Sequence, residues 1–301
     1  MRANFFEKLI EEMRKNEKIF FLMGDTGFNL VEPIFDEFPN RSINVGVAEQ
    51  NMIGIASGLA NAGFIPICYA ITNFLAFRCL EQIRNDLCLH NYPVILVGTS
   101  AGFDHGKLWA THYVTEDIGV IKSLPNISIY SPSGKESMEK IFDEVINSKN
   151  PCYIRIPKSD FSEEKKIESI NRFIVKNEKT KILAISHGKM IKNTFNAYKI
   201  FPNFSIFALD KIKPFDEDVL EKIFSENDKI IVIEDNFNSG LYNSVCQFMV
   251  EKRITNTEVF SLSPKEEFMK KIGDVETLEE RYGLNSKKIH EFIQKLDEKN
   301  V

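Results

Sequence analysis

The stretch that decides how this sequence is interpreted is Asn44-Val-Gly-Val-Ala-Glu49-Gln-Asn-Met-Ile-Gly-Ile-Ala-Ser-Gly-Leu-Ala60. It places one acid, Glu49, in a long run of small and apolar residues. One interpretation is a glutamate in the first turn of a helix, where it stabilises the helix dipole. The other is a carboxyl group held in an apolar pocket, where desolvation favours the protonated form and keeps a proton available for a ligand. Without further context, the first interpretation is favoured.

Apolar runs of strand length alternate with segments of helical period on both sides of this stretch. The pattern predicts helices at 3–16, 49–62, 73–89, 115–123, 134–148, 189–200, 216–226 and 239–252, followed by C-terminal helices. It predicts strands at 18–24, 64–70, 93–98, 127–130, 153–156, 182–186, 204–209, 229–234 and 258–262. Such alternation is typical of parallel sheets with helices on both faces. We therefore expect an α/β protein.

A charged segment separates two halves that repeat this alternation. The residues from Pro157 to Thr180 are charged and aperiodic, as is typical of a linker between compact units. The sequence therefore predicts a first domain at 1–157, a linker at 158–179 and a second domain at 180–301. Each domain is expected to contain a parallel or mostly parallel sheet.

Composition excludes several classes of function. The chain has 38 Lys and Arg residues and 43 Asp and Glu residues, which gives a formal net charge of −5. It has no cluster of basic residues of the kind that binds nucleic acid, so a nucleic-acid partner is not expected. No apolar run is long enough to span a bilayer, and the N-terminus lacks the apolar core of a signal peptide, so we expect a cytoplasmic protein without a membrane contact. No Gly-x-Gly-x-x-Gly, Walker or Gly-Asp-Gly motif occurs. Structural zinc is not expected, since no CxxC pair is formed by the five cysteines, Cys68, Cys79, Cys88, Cys152 and Cys246.

The stretch around Glu49 resembles the pyrimidine-binding domain of transketolases and 1-deoxyxylulose-5-phosphate synthases, which use thiamine diphosphate. Further motifs of that family follow in the same order, namely Thr72-Asn-Phe74-Leu-Ala-Phe77, Thr111-His112-Tyr-Val-Thr-Glu116-Asp117, Leu124–Ser133 and Cys152–Pro157. The second half is similar to the C-terminal domain of the family through the segments Leu209–Asp216 and Val232–Gly240. The resemblance covers nearly the whole chain but only the latter part of a full transketolase.

The resemblance implies a role for each matching residue. Glu49 matches the acid that contacts N1′ of the aminopyrimidine and activates the cofactor. Phe74 and Phe77 lie three residues apart at a helix start, hence on one face, with Phe77 stacking on the pyrimidine ring and Phe74 behind it. His112 matches a histidine that moves a proton or contacts a sugar hydroxyl. Arg155 matches an arginine that holds a substrate phosphate.

One loop departs from the family pattern. The segment Gly102-Phe-Asp104-His105-Gly-Lys-Leu-Trp109-Ala-Thr-His112 lacks the proline usual in the family. Asp104 is a candidate substrate contact, but the alignment of loop 102–110 and the roles of Asp104, His105 and Trp109 stay open. Asn51 stands where the family commonly carries a histidine.

The resemblance implies the C-terminal subunit of a split transketolase-like enzyme that transfers a two-carbon ketol unit between sugar phosphates or modified sugars. A separate N-terminal, diphosphate-binding subunit would hold the Mg²⁺ or Ca²⁺ ion, and this chain would form a homodimer within a heterotetramer. The alternatives are a pyruvate-using carboligase resembling deoxyxylulose-phosphate synthase, a β subunit of a 2-oxoacid dehydrogenase, and a non-catalytic assembly partner. The segments at Phe74–Phe77 and Thr111–His112 favour the transketolase-like enzyme over the dehydrogenase subunit.

Overall fold

The structure is a computed structural model that describes residues 1–159, 161, 162 and 167–298. Its strands are β1 (Ile19–Met23), β2 (Ser42–Asn44), β3 (Ile65–Ile71), β4 (Ile95–Thr99), β5 (Ser128–Tyr130), β6 (Cys152–Ile156), β7 (Arg172–Val175), β8 (Ile182–Ser186), β9 (Ser205–Ala208), β10 (Lys211–Lys213), β11 (Lys229–Ile233) and β12 (Glu258–Leu262). Its α-helices are α1 (Arg2–Lys15), α2 (Glu32–Glu37), α3 (Glu49–Asn61), α4 (Leu80–Gln82), α5 (Asp117–Ile121), α6 (Lys135–Val145), α7 (Met190–Ile200), α8 (Glu217–Glu226), α9 (Leu241–Glu251), α10 (Val275–Arg281) and α11 (Ser286–Glu298). The helical segments also include π-helical turns at Phe74–Arg78 and Ile83–Cys88 and a 3₁₀ turn at Gly106–Thr111.

Two mostly parallel sheets confirm the predicted α/β class. The first sheet has the strand order β10-β5-β6-β4-β3-β1-β2, in which only β10 is antiparallel to its neighbour. The second has the order β12-β11-β8-β9-β7, in which only β7 is antiparallel to its neighbour. No helix in the described ranges is long and apolar enough to cross a membrane.

Helices cover both faces of the first sheet, which explains its continuous apolar strands. Phe21 and Leu22 are consecutive residues of β1 and point to opposite faces. Phe21 packs in the same core as Phe5 of α1 and Phe142 of α6, whereas Leu22 packs in the core that contains Met52 of α3. A strand buried on both faces needs no polar side, so it appears in the sequence as an apolar run rather than as an alternation.

Four elements were not predicted. The helix α2 and the short strand β2 lie between predicted elements, and β7 lies inside the segment interpreted as an aperiodic linker. The strand β10 comes from the second half of the chain but pairs with β5 of the first sheet. Each of these strands has at most four residues and lies at a sheet edge, so burial imposes no long apolar run on it. The domain limits at 157 and 180 remain a prediction.

Buried ion pairs join the two halves. Arg155 of β6 is 1% exposed, and its Nε donates to Oδ2 of Asp117 at 2.9 Å, while its Nη1 donates to Oδ1 of Asp235, after β11, at 2.7 Å. Lys189 Nζ lies 3.7 Å from Oδ2 of Asp235 and 3.5 Å from Oδ1 of Asp104. Burial alone would raise the pKa of Asp235, but Arg155 and Lys189 hold it below its ordinary value. The two halves are therefore held together by charges that cannot separate without leaving a buried ion unpaired.

Replacing Arg155 by methionine should lower the free energy of unfolding by about 3 to 5 kcal/mol, because two buried carboxylates lose their arginine partner. The shift is measured from urea unfolding followed by circular dichroism. The matched control is Arg14→Met, which removes an arginine paired with Glu37 on the surface and should leave the unfolding midpoint close to that of the wild type. Equal, small shifts for both variants would contradict a structural role for Arg155.

Candidate functional site

Several of the residues predicted to carry function, among them Glu49, Phe74 and His112, lie at the carboxyl edge of the first sheet. Gly24 follows β1, Glu49 begins α3 after β2, and Phe74 follows β3. The loop at 100–112 follows β4. In open parallel sheets, ligands bind outside the carboxyl ends of the strands. This edge is therefore the candidate functional site.

A buried carboxylate lies at the centre of the edge. Glu49 is 1% exposed although it occupies the first turn of a helix. Gly24 makes room for it, since a Cβ at position 24 would lie 3.1 Å from Cγ and 3.2 Å from Oε1 of Glu49. Oε1 takes no hydrogen bond from any described residue. One oxygen of the buried carboxylate thus remains available to a ligand.

The other carboxylate oxygen has an arginine partner that the sequence interpretation missed. Arg78 Nη1 donates to Oε2 of Glu49, and the guanidinium lies 4.2 Å from the centre of the Phe74 ring. The Arg78 side chain is 37% exposed. The surroundings of the acid, expected to be an apolar pocket, therefore include a cation. The only sign of this ion pair in the sequence is a cation four residues after Phe74. Such a residue cannot be distinguished from an ordinary surface charge.

A π-helical turn changes which residues share a face after β3. Phe74–Arg78 is π-helical, and such a turn is wider than an α-turn. Arg78, at i+4, lies over Phe74, as it also would in an α-helix, whereas Phe77, at i+3, is 40% exposed. The prediction that Phe74 and Phe77 lie on one face assumed an α-helix and is corrected here. Phe74 is the ring next to the Glu49–Arg78 pair, and Phe77 forms an exposed aromatic group on the same edge.

His112 lies beside Phe74. The centres of the two rings are 5.2 Å apart, and Nδ1 of His112 lies 2.8 Å from Oγ1 of Thr111. Asn73 Nδ2 donates to the carbonyl of Thr111 at 2.9 Å, which ties the histidine loop to the π-helical turn. The half-buried imidazole of His112 can therefore accept or donate a proton at the edge that Glu49 occupies.

A second histidine, His105, joins this cluster. Its ring centre is 6.0 Å from that of His112. Burial lowers the pKa of His105 to about 4, and the positive charge of Lys158 acts in the same direction. The imidazole is therefore neutral near pH 7, with one nitrogen to donate and one to accept a hydrogen bond. The sequence left the role of His105 open because the loop could not be aligned.

The structure does not bring Asp104 to the open edge. Its side chain is buried and accepts a hydrogen bond from the backbone nitrogen of Lys158 at 2.7 Å. Its other oxygen faces Lys189 at 3.5 Å. Asp104 thus anchors the loop to the second half of the chain instead of facing a substrate, and the neighbouring residue His105 takes the position at the cluster.

Arg155 is likewise placed inside the protein. Both of its carboxylate partners, Asp117 and Asp235, are buried with it, so no surface is left for a substrate phosphate. The prediction of a phosphate contact is corrected for this reason: Arg155, the fourth of the five residues of β6, directs its side chain into the buried ion pairs that join the two halves. Lys158, three residues further along the chain and past the end of β6, is exposed. Its positive charge lowers the pKa of His105, so it lies near the histidine cluster.

The described part of the chain contains no group of three or more His, Cys, Asp or Glu placed to hold a metal ion. Glu234 and Asp235, which follow β11, serve the fold. Glu234 accepts hydrogen bonds from the backbone nitrogens of Leu241 and Tyr242 at the start of α9, both at 2.8 Å. The chemistry available at the edge is thus a buried carboxylate, two histidines, an exposed lysine and aromatic surface.

The chain is similar to several known proteins. The profile of the family described as transketolase, pyrimidine-binding domain, matches residues 1–163. A 1-deoxy-D-xylulose-5-phosphate synthase of Clostridium tetani is 31% identical over 87% of this chain, which spans 43% of that relative's length. A putative transketolase C-terminal section of Methanocaldococcus jannaschii is 29% identical over 97% of this chain and 95% of its own length. Among solved structures, one described as a split gene transketolase, inactive beta4 tetramer, is 24% identical, with a TM-score of 0.84 over 98% of this chain and 96% of that chain.

The imidazole of His105 should titrate with a pKa of about 4, and Lys158→Met should raise that pKa by removing one nearby positive charge. The chemical shift of its Cε1 proton, followed by NMR against pH, measures both values. Because His105 has a pKa below the ordinary 6.5, its contribution to stability is complete above pH 6.5 and is lost as the pH falls towards 4. The exposed Lys149→Met is the control and should leave the titration unchanged. A His105 that titrates near 6.5 would refute the neutral assignment.

Proposed function

The chain belongs to the transketolase pyrimidine-binding-domain family, and from this premise we propose that it is the C-terminal subunit of a split, thiamine diphosphate-dependent enzyme that transfers a two-carbon ketol unit between sugars. The family match over residues 1–163 supports the cofactor, and the relative from Methanocaldococcus jannaschii, which has nearly the same extent, supports the split. We also propose the sugar substrates, the separate diphosphate-binding partner subunit, and a homodimer of this chain within a heterotetramer.

The observation that carries the proposal is the buried carboxylate of Glu49 at an open sheet edge. Its Oε1 takes no hydrogen bond from the described residues, and Gly24 keeps the space beside it free of side-chain atoms. A carboxylate that is almost fully buried yet keeps one oxygen without a hydrogen bond from the described residues is expected of a group that binds a ligand. The ring nitrogen of an aminopyrimidine would supply that partner, and the Phe74 ring lies against Arg78, the arginine partner of Glu49. The residues present therefore fit the pyrimidine end of thiamine diphosphate.

The chain's own residues then have distinct tasks. Glu49 holds a proton at the pyrimidine nitrogen, and Arg78 fixes the carboxylate through its other oxygen. When bound, thiamine diphosphate supplies the thiazolium carbon that accepts the ketol unit. His112 and His105 exchange protons or hydrogen bonds with the hydroxyl groups of a sugar. Lys158 takes the place of Arg155 as the cation available to a substrate phosphate.

The diphosphate end of the cofactor is assigned to a partner chain. The sequence has no Gly-Asp-Gly motif, and the described residues form no metal-binding group. A diphosphate carries most of the cofactor's charge and is commonly held through Mg²⁺ bound by carboxylates and waters. The solved structure of similar fold is described as an inactive tetramer of one kind of subunit, which supports the idea that such a chain does not act alone.

A second candidate is a carboligase that takes pyruvate as the donor. The Clostridium tetani relative, named as a deoxyxylulose-phosphate synthase, is 31% identical and favours this reaction. The donor distinguishes the two enzymes, because pyruvate would be consumed by the carboligase and a ketose by the ketol transferase. The roles of Glu49 and Phe74 toward the cofactor are the same in both.

Replacing Glu49 by glutamine keeps the shape of the side chain but removes the carboxyl proton, so turnover of the reconstituted two-subunit enzyme should fall by about 100- to 10,000-fold. Binding of thiamine diphosphate, measured by calorimetry, should be retained better than turnover. The control Glu217→Gln changes a glutamate in the first turn of α8, away from the sheet edge, and should leave turnover unchanged. Wild-type turnover of the Glu49 variant would show that the cofactor assignment is wrong.

A further inference from the structure

The loop that carries both histidines is held by a segment of the second half of the chain. Met269, between β12 and α10, is 2% exposed, and both polar groups of its backbone are bonded to this loop. Its nitrogen donates to the hydroxyl of Tyr113 at 3.0 Å, and its carbonyl accepts from Nε1 of Trp109 at 2.5 Å. Trp109 and Tyr113 thus bond one residue of the second half from positions on either side of His112.

The backbone of Trp109 is strained, which calls for an explanation. Its φ of 60° and ψ of −161° fall in a region that is almost restricted to glycine. A bulky residue persists there only if its surroundings determine its conformation. Its carbonyl accepts from the backbone nitrogens of His112 at 2.9 Å and Tyr113 at 3.1 Å. The strained residue is therefore the point at which the chain turns to present His112.

Further contacts from the same segment fix the beginning of the loop. The Phe103 ring stacks on Tyr282, with centres 5.4 Å apart and an interplanar angle of 18°. A Cβ at Gly106 would lie 2.7 Å from the carbonyl oxygen of Gly273 and would also collide with Leu278. His105 lies between Phe103 and Gly106 and is positioned by these contacts. Both histidines are therefore flanked by residues packed against the 269–282 segment.

We infer that Trp109 and Tyr113 are positioning residues that use Met269 of the second half to hold His105 and His112 in place for the substrate. This inference rests on the proposed function, because it concerns the histidines that contact the sugar. It gives the second half of the chain a role in the reaction, through the loop it supports. Neither Trp109 nor Tyr113 needs to touch the substrate for this role.

The test uses Tyr113→Phe, which removes the acceptor for the Met269 nitrogen and keeps the ring. Trp109 is the only tryptophan of the chain, so its fluorescence in the isolated full chain reports on the loop alone. Trp109 is 48% exposed in the intact loop. Release of the loop from Met269 should raise the acrylamide quenching constant of Trp109 about twofold, towards that of a fully exposed tryptophan. The control Thr257→Val removes a buried hydroxyl that donates to Asn227 at 3.0 Å, far from the loop in sequence, and should leave quenching unchanged.

The second measurement uses the enzyme reconstituted with its complementary subunit, with hydroxypyruvate as the two-carbon donor. Tyr113→Phe should lower kcat by about 10- to 100-fold, as expected for misplaced reacting groups, while the Kd for thiamine diphosphate stays within about twofold. Trp109→Phe, which keeps a ring but loses the N–H donor, should lower kcat in the same way and serves if the tyrosine variant does not fold.

Three results would overturn the inference. They are unchanged quenching in Tyr113→Phe, a wild-type kcat in both loop variants, and an equal loss of kcat in Thr257→Val. Failure of the proposed function is recognised separately, because the reconstituted wild type would then show no ketol transfer from hydroxypyruvate. In that case the quenching measurement still decides whether Met269 holds the loop.

Discussion

The buried charge of Arg155 constrains most of the structure. Its guanidinium lies between Asp117, at the start of α5, and Asp235, at the end of β11, so it can be satisfied only when both halves of the chain are docked. Gly102 fits against this group, since a Cβ at that position would collide with the carboxylate of Asp235. The loop with the two histidines therefore starts from the ion pairs that join the halves. The geometry of the candidate site depends in this way on the contact between the two sheets.

The same constraint explains why the second half matters to a site built on the first sheet. Lys189, at the start of α7, approaches Asp104, whose other oxygen binds the backbone of Lys158. Met269 holds the far end of the loop through Trp109 and Tyr113. The edge that carries Glu49 remains open on its outer side, where Phe77 is 40% exposed. This edge thus has a buried carboxylate on one side and exposed aromatic surface on the other.

Much of the fold could be predicted because strands buried on both faces leave apolar runs such as Ile19–Met23 and Lys229–Ile233. The strand β10 could not be predicted, because its pairing with β5 depends on the docking of the two halves. Its only buried apolar residue is Ile212, which is too short a pattern to indicate a strand. At the site, Glu49 and His112 were found through motif resemblance. Arg78 was missed because a cation four residues after Phe74 on a helix cannot be distinguished from a surface charge in the sequence, although the two positions share a face. Arg155 was assigned to a phosphate because the sequence does not reveal that both partners of its charge are buried.

The central claim is that this chain contributes only the pyrimidine side of a thiamine diphosphate site. Calorimetric titration of the chain with thiamine diphosphate and Mg²⁺, alone and after mixing with the complementary diphosphate-binding subunit, tests it most directly. The account predicts feeble binding to the isolated chain and tight binding, together with ketol transfer, after mixing, because most of the cofactor's charge lies at the diphosphate end. Tight, stoichiometric binding by the chain alone would contradict the account.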